Sequence, residues 1–437
     1  MTRGWRMGVA VLGALAALGA GQADRAPSAP FATLTVGGRV DAVPSLTARG
    51  SFVVVAWAAT AGSRTDAFVA VSRDGGRSFG PPARANDVSG TVRPASESGP
   101  RVALGPPADG RPDPAITVVW SGREPASTIR LARSTDGGRT FAASVRLEGE
   151  EAAGNRGWAS VDVDPRGRAR VIWLDHRRLA DTARPAQAGA APAAGEHQHH
   201  QHPGAARVTQ GGQASTDASV ARAQESGLFL WNGEGPAREI ARGVCYCCRT
   251  TVASAAETVV AAWRHVYPGN LRDIALARWV DGGRSFGAVA RVSEDRWAID
   301  GCPEDGPSLA LDARGGAHLA WPTLVTTPSE HKAIFYATAA PGGGMSARVL
   351  VSPRGRFVAH PAIALTEAGA PAIAWEGTGA DRGIWLAVRR GGRFAPAVRV
   401  SAAVDASYPA LAVSGDALVA AWRELTGQAT RLVVTRR

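Results

Sequence analysis

Apolar positions along the chain gather into short runs, separated by polar or glycine-bearing turns, and seven of those runs end on tryptophan. They are SFVVVAW at Trp57, PAITVVW at Trp120, RARVIW at Trp173, ETVVAAW at Trp263, GAHLAW at Trp321, APAIAW at Trp375 and ALVAAW at Trp422. Each is preceded by another apolar run and a Gly- or Asp-containing turn. Each is followed by a polar loop and a third run, such as AFVAVS at Ala67–Ser72 or TIRLARS at Thr128–Ser134. Runs this short, bounded by turn residues, read as buried strands rather than helices. The tryptophans are 63, 53, 90, 58, 54 and 47 residues apart. Only the third interval is long, so an insertion interrupts the third repeat. Each unit is an antiparallel four-strand meander, the size of a propeller blade.

Three repeats carry a tight turn after the third strand: Ser72-Arg73-Asp74-Gly75-Gly76-Arg77-Ser78-Phe79, Ser134-Thr135-Asp136-Gly137-Gly138-Arg139-Thr140-Phe141, and Trp279-Val280-Asp281-Gly282-Gly283-Arg284-Ser285-Phe286. The Asp accepts N–H bonds from its own turn and the glycines supply positive φ. Arg390-Gly391-Gly392-Arg393-Phe394 is a worn copy. These turns resemble the Asp-box (BNR) repeats of the sialidase-like β-propellers, and the resemblance spans nearly the whole chain after its N-terminal segment. It implies an all-β, sialidase-like propeller. The repeats give seven blades, with six, the sialidase number, as the alternative. The seventh repeat supplies three strands, and Ala32–Val36 is expected to add the fourth and close the ring, removing a free sheet edge.

Composition narrows the picture. At 437 residues and 45% apolar, the chain is long and apolar enough for a large core. Its formal net charge is +11, yet Lys332 is its single lysine. Arginine enrichment without a basic block or stacking-aromatic motif argues against nucleic acid as a partner. Residues 1–23 read as a signal peptide: Arg3 and Arg6, an apolar stretch from Val9 to Ala20, then Gly21-Gln22-Ala23. No later apolar run is long enough to span a membrane. Residues 24–31 read as a disordered tail and 32–437 as one propeller domain. Within it, residues 180–214, with Glu196-His197-Gln198-His199-His200-Gln201-His202, read as a disordered His-rich loop insertion. The expected location is periplasmic or secreted, an oxidising setting for four cysteines.

Propeller topology sorts loops by face. Loops between strands 2 and 3 share a face with the crossovers into the next blade; the Asp-bearing turns lie on the other. On this count all four cysteines and every histidine except His318 fall on the first face. The sharpest cluster is Val244-Cys245-Tyr246-Cys247-Cys248-Arg249 with Asp300-Gly301-Cys302-Pro303-Glu304-Asp305. Cys245 and Cys302 stand 18 and 19 residues before their blade tryptophans, so adjacent blades bring them near one another. Two structural disulfides are one reading, and inert thiols another. Adjacent Cys247 and Cys248, with Cα atoms about 3.8 Å apart, fall below the usual disulfide range. The further reading is a soft-metal site, Cys245, Cys247, Cys248 and Cys302 with His265, suited to copper or zinc. The His tract captures Cu(II), Ni(II) or zinc, by function or adventitiously. Calcium is disfavoured, since no D-x-D-x-D loop occurs.

Arg249, Arg264, Arg272 and Asp273, with Tyr267, His360 and Tyr408, form the candidate binding rim. Its arginines either clamp an anionic ligand or hold loops through Arg–carboxylate pairs. The family resemblance implies three arginines gripping a sialoside carboxylate, a Tyr–Glu nucleophile and an Asp acid/base. The chain departs from that pattern at Asp41-Ala42-Val43-Pro44, where Ala42 stands in place of the first arginine. Tyr267 or Tyr408, with Glu376 or Glu424, would have to serve as nucleophile pair, so whether the chain is an enzyme stays open. The leading expectation is an exported binding or scaffold propeller whose Cys/His face takes a metal ion or an exported redox partner. A glycan-acting hydrolase or carbohydrate-binding protein, and a protein-interaction propeller, are the alternatives.

Overall fold

The computed structural model describes residue 1 and residues 31–93, 97–124, 126–147, 153–179, 212–255, 257–280, 285–299, 303–326, 329–353, 357–427 and 429–437. The N-terminal segment through Pro30, the His tract and the third Asp-bearing turn lie outside the described residues.

Seven sheets follow one another in the described chain, each an antiparallel meander. Blade 1 comprises Ser45–Arg49, Phe52–Ala61, Arg64–Ser72 and Ala83–Arg84; blade 2, Arg101–Pro107, Pro114–Gly122, Thr128–Ser134 and Val145–Arg146. Blade 3 is Arg156–Val163, Ala169–Asp175, Gly227–Trp231 and Arg238–Arg242; blade 4, Thr251–Ala255, Thr258–Tyr267, Leu271–Val280 and Ala290–Arg291. Blade 5 is Ser308–Leu311, Ala317–Val325, His331–Ala339 and Val349–Leu350; blade 6, Val358–Leu365, Pro371–Gly377, Gly383–Arg390 and Val398–Arg399. Blade 7 is Ala406–Ser414, Ala417–Thr426 and Ala429–Arg436, completed by Phe31–Leu34 from the other end of the chain. Phe31 pairs with Thr435 and Leu34 with Leu432. The expected ring closure is therefore present, its strand starting one residue earlier than the sequence reading placed it. The first strands of the seven blades touch in cyclic order, Ser45–Arg49 meeting both Arg101–Pro107 and Ala406–Ser414. The fold is a seven-bladed all-β propeller, and the six-blade alternative falls away.

The shared register of the tryptophans has a packing cause. All seven are at most 1% exposed, and each packs against the blade before its own. Trp120 joins Val54 and Val69 of blade 1, Trp173 joins Val119 and Ile129 of blade 2, and Trp263 joins Ile172 and Leu228 of blade 3. The pattern continues through Trp321, Trp375 and Trp422. It closes where Trp57 meets Val419 and Leu432 of blade 7. A large indole at one repeated position thus fills each inter-blade wedge, where buried aromatic area contributes most. Several indoles are fixed by a carboxylate, as Trp57 Nε1 donates to Asp41 Oδ1 (2.8 Å) and Trp422 Nε1 to Glu424 Oε1 (2.9 Å).

The two described Asp-bearing turns behave as read from sequence. Asp74 Oδ1 accepts from the N–H groups of Arg77 (3.0 Å) and Ser78 (2.9 Å), and Gly75 and Gly76 have φ of 77° and 88°. Asp136 repeats this with Arg139 and Thr140. Both turns join third to fourth strands, the face opposite the entry to the inner strands. One element was not foreseen. Gly212–Gln224 forms a helix, where the loop was expected to run to residue 214. Its Ala- and Gln-bearing sequence favours helix without showing an apolar stripe.

Candidate functional site

Two adjoining features occupy the entry face of the propeller: a buried thiol pocket beside blade 4 and a cavity on the axis. The thiol pocket is built by the stretch leading into Thr251–Ala255. That stretch doubles back along the tryptophan strand Thr258–Tyr267: Cys245 N donates to Arg264 O (2.9 Å) and Val266 N to Gly243 O (2.7 Å). Alternation along this strand then sorts the side chains. Val266 faces the cysteines, whereas His265 turns to the other side, its Nδ1 accepting from Trp263 Nε1 (3.3 Å) and its ring 4.6 Å from that of Tyr267. Gly243, at φ 72°, is where a Cβ would press on the His265 ring.

Cys245, Cys247 and Cys248 are all buried, and their sulfurs lie within 4.8 Å of one another. Cys248 Sγ donates to Cys245 Sγ at 3.3 Å, and Cys247 Sγ stands 3.8 Å from Cys245 Sγ. Cys245 and Cys248 are free thiols, whereas Cys247 is disulfide-bonded and so drops out of the ligand set read from sequence. Arg272 donates from Nη1 to Cys245 Sγ (3.1 Å) and from Nη2 to Ser219 Oγ of the helix (2.6 Å). Burial pushes the Cys245 thiol up, but the Cys248 donor together with the Arg272 and Arg264 charges outweighs it and brings the group to about 6. Burial and the neighbouring Cys245 push Cys248 well above the ordinary thiol range. The two thiols titrate as a coupled pair in which Cys245 is the more readily ionised. The helix Gly212–Gln224 roofs the pocket: Ala223 packs on the sulfurs beside Val220, and Arg222 lies over the Tyr246 ring at 4.7 Å.

The axial cavity, about 190 Å³, is lined by inner-strand residues of all seven blades and by Glu97, Arg101, Arg249, His360 and Tyr408. His360 and Tyr408 occupy the left-handed region, at φ 52° and 54°, where bulges interrupt the inner strands of blades 6 and 7. Strain of this kind, sustained by surrounding structure, concentrates at working sites. Their rings lie tilted by 31° with centroids 4.2 Å apart. His360 Nε2 meets Glu97 Oε1 (3.0 Å), His360 Nδ1 donates to Glu376 Oε2 (2.8 Å), and its backbone N–H donates to Asp305 Oδ1 (3.1 Å). Burial lowers the His360 pKa, but the charges of Glu376 and Asp305 and the carboxylate hydrogen bonds raise it to about 10. Glu97, Asp305 and His360 are spaced for a metal. A protonated imidazole has no lone pair to give, and Lys332 Nζ already holds Asp305 Oδ2 at 3.0 Å. This is an ion cluster, with chemistry unlike the thiol pocket.

Of the residues singled out from sequence, Arg249, His360 and Tyr408 meet at the cavity, and Cys245, Cys247, Cys248 and Arg272 meet in the pocket. Arg264 is fully buried and donates to three backbone carbonyls, those of Asp305, Arg272 and Pro322 (3.1, 2.7 and 2.8 Å), tying blade 4 to blade 5. Asp273 accepts from Arg291 and from the N–H groups of Arg296 (3.1 Å) and Trp297 (3.2 Å), and Arg291 also covers Tyr267 at 4.5 Å. Asp273, Tyr267 and His265 form a separate patch, and Cys302 lies outside the described residues. Sequence reasoning passed over Glu97, Arg101 and the helix residues. The available signal for Glu97 and Arg101 was position: both stand where blade 2 begins, as Arg249 does in blade 4 and His360 in blade 6.

No protein-family model and no curated protein matches the chain. Solved structures match it in fold. A polysaccharide lyase described as an ulvan lyase of a new family gives a TM-score of 0.50 at 11% identity, covering 93% of this chain and 94% of that one. The β-propeller domain of the Trilobed protease from Pyrococcus furiosus gives 0.46 at 11% identity, covering 91% and 97%. A Hadza microbial sialidase gives 0.44 at 12% identity, covering 85% and 73%. Sialidase-like and other propellers are thus the structural neighbours, at identities that speak for fold alone.

Proposed function

We propose that this chain is an exported metal-binding propeller in which Cys245 and Cys248 take up a soft monovalent ion, Cu(I) foremost. The observation that carries the reading is one: two free thiols, 3.3 Å apart, sit inside a polarised pocket on the entry face. Metal–sulfur bonds of about 2.3 Å in tetrahedral geometry place sulfurs roughly 3.8 Å apart. The 3.3 Å pair must open by about half an ångström to reach that separation, and by about 1.3 Å for the linear geometry of a two-coordinate ion. Thiolate softness selects Cu(I) over harder ions. Charge sharpens the choice. Two thiolates with Cu(I) carry one net negative charge, which the Arg272 guanidinium balances. Two thiolates with Zn(II) are neutral and would leave that cation uncompensated in a buried site, which is costly. Cys245 and Cys248, residues only 0% and 2% exposed, are out of reach of a folded partner's disulfide, so a free ion suits the pocket better than a protein redox partner.

The test is anaerobic loading of reduced, periplasmically expressed protein with Cu(I) under competition from a chromophoric chelator, beside a thiol count. One tightly held copper per chain is expected, lost in Cys245→Ser and in Cys248→Ser. Two titratable thiols with no stoichiometric copper would overturn the proposal.

A further inference from the structure

The axial cavity carries chemistry that the thiol site does not use. Arg101 and Arg249 both line it, and among the described residues neither has a carboxylate within salt-bridge distance. Arg101 Nη2 donates to Glu97 O (2.8 Å) and Arg249 Nη2 to Pro361 O (2.6 Å), leaving guanidinium donors over. The two cations are close enough to repel: burial, then the Arg249 charge, pulls Arg101 down to about 9. Four cations, Arg101, Arg249, Lys332 and His360, face three carboxylates, Glu97, Asp305 and Glu376, so positive charge is in excess. Gly306 lets the Arg249 backbone approach this closely, since a Cβ there would collide with the Arg249 carbonyl. The second observation has the opposite sign. Glu97 is 6% exposed, and its Oε2 has no hydrogen-bond partner. A buried carboxylate oxygen left unpaired is expensive and looks for a donor.

We infer that the axial cavity binds a small hydroxycarboxylate, its carboxylate between Arg101 and Arg249 and its hydroxyl donating to Oε2 of Glu97. A plain inorganic oxyanion satisfies the arginines but brings no donor to Glu97. A neutral sugar supplies donors but leaves the guanidiniums uncompensated. A molecule carrying both groups answers both halves of the site.

Lactate and propionate differ by that one hydroxyl and are the deciding probes, with D-gluconate, sulfate and glucose beside them. Isothermal titration and thermal-shift assays on the whole protein should show lactate and gluconate binding once per chain. Propionate should bind at least tenfold more weakly, and sulfate and glucose more weakly still. Arg249→Gln should weaken lactate about tenfold or more, whereas Glu97→Gln should erase the preference for lactate over propionate while keeping carboxylate binding. Melting curves of both variants confirm that they fold. Cys248→Ser should bind lactate as the natural chain does, which separates this site from the copper reading. Equal affinity for lactate and propionate, no binding of either hydroxycarboxylate at tens of millimolar, or an unchanged Arg249→Gln would overturn the inference.

Discussion

Replacing Arg272 with methionine keeps most of the side chain's volume and removes the charge beside Cys245. The thiol's fall from 9.0 to about 6 corresponds to about 4 kcal/mol favouring the thiolate, at roughly 1.36 kcal/mol per pKa unit. Burial works against that figure. It is overcome by the Cys248 donor, by the charge and the hydrogen bond of Arg272, and by the Arg264 charge. A charge-assisted hydrogen bond contributes about 1.5–3 kcal/mol, so Arg272→Met should raise the Cys245 midpoint by about two units. At pH 7 the thiolate fraction should then drop from about nine-tenths to under a tenth. Ultraviolet titration of the thiolate band in reduced protein reads this directly, and Arg272→Lys should fall between the two. Stability follows the same linkage. A thiol whose folded pKa lies below its unfolded one contributes stability present above pH 9 and lost as pH falls through about 6. That slope should shrink to about a third in Arg272→Met, whose midpoint of about 8 still lies below 9.0. A midpoint still near 6 in a folded Arg272→Met protein would refute the assignment of the thiolate to this guanidinium.

Other consequences can be checked on the same preparation. Leu34→Ala, in the ring-closing strand where Leu34 is 5% exposed, should cost about 2–4 kcal/mol in urea unfolding. Trp57→Phe strips buried Asp41 of its indole donor, whereas Trp120 Nε1 has no partner to lose; the first substitution should cost about 1–3 kcal/mol more than Trp120→Phe. His360 is held charged up to about pH 10 against an ordinary 6.5, so its contribution is full below pH 6.5 and fades as pH rises through 10. In Glu376→Gln, which removes one carboxylate from the imidazolium, that fading should begin at lower pH in pH-dependent melts.

The repeats were legible because one packing demand recurs. An indole is wanted at the same place in every blade, and Trp57 through Trp422 advertise it at near-constant spacing. Ring closure was legible for a related reason, a seventh blade short of one strand. The site was readable only in part. Cys245, Cys247 and Cys248 are neighbours in sequence, so local spacing exposed them. Arg264 and Arg272 share chemistry and lie on paired strands, yet one spans blades through backbone carbonyls and the other polarises a thiol, a distinction invisible to composition. Glu97 and Arg101 enter blade 2 and Asp305 enters blade 5, and only the closed ring brings them together. The helix Gly212–Gln224 was hidden because its sequence carries no apolar stripe of its own.

Because Phe31–Leu34 zips onto Ala429–Arg436, the propeller's last sheet needs strands from opposite ends of the propeller's sequence to exist at once. A growing or translocating polypeptide can stack blades one after another, but the barrel of wedges stays sprung open until the final strand emerges. Closure is therefore a single late, long-range event with the largest loop-entropy cost in the fold. Until it happens, blade 7 shows a bare edge to any other strand in the compartment.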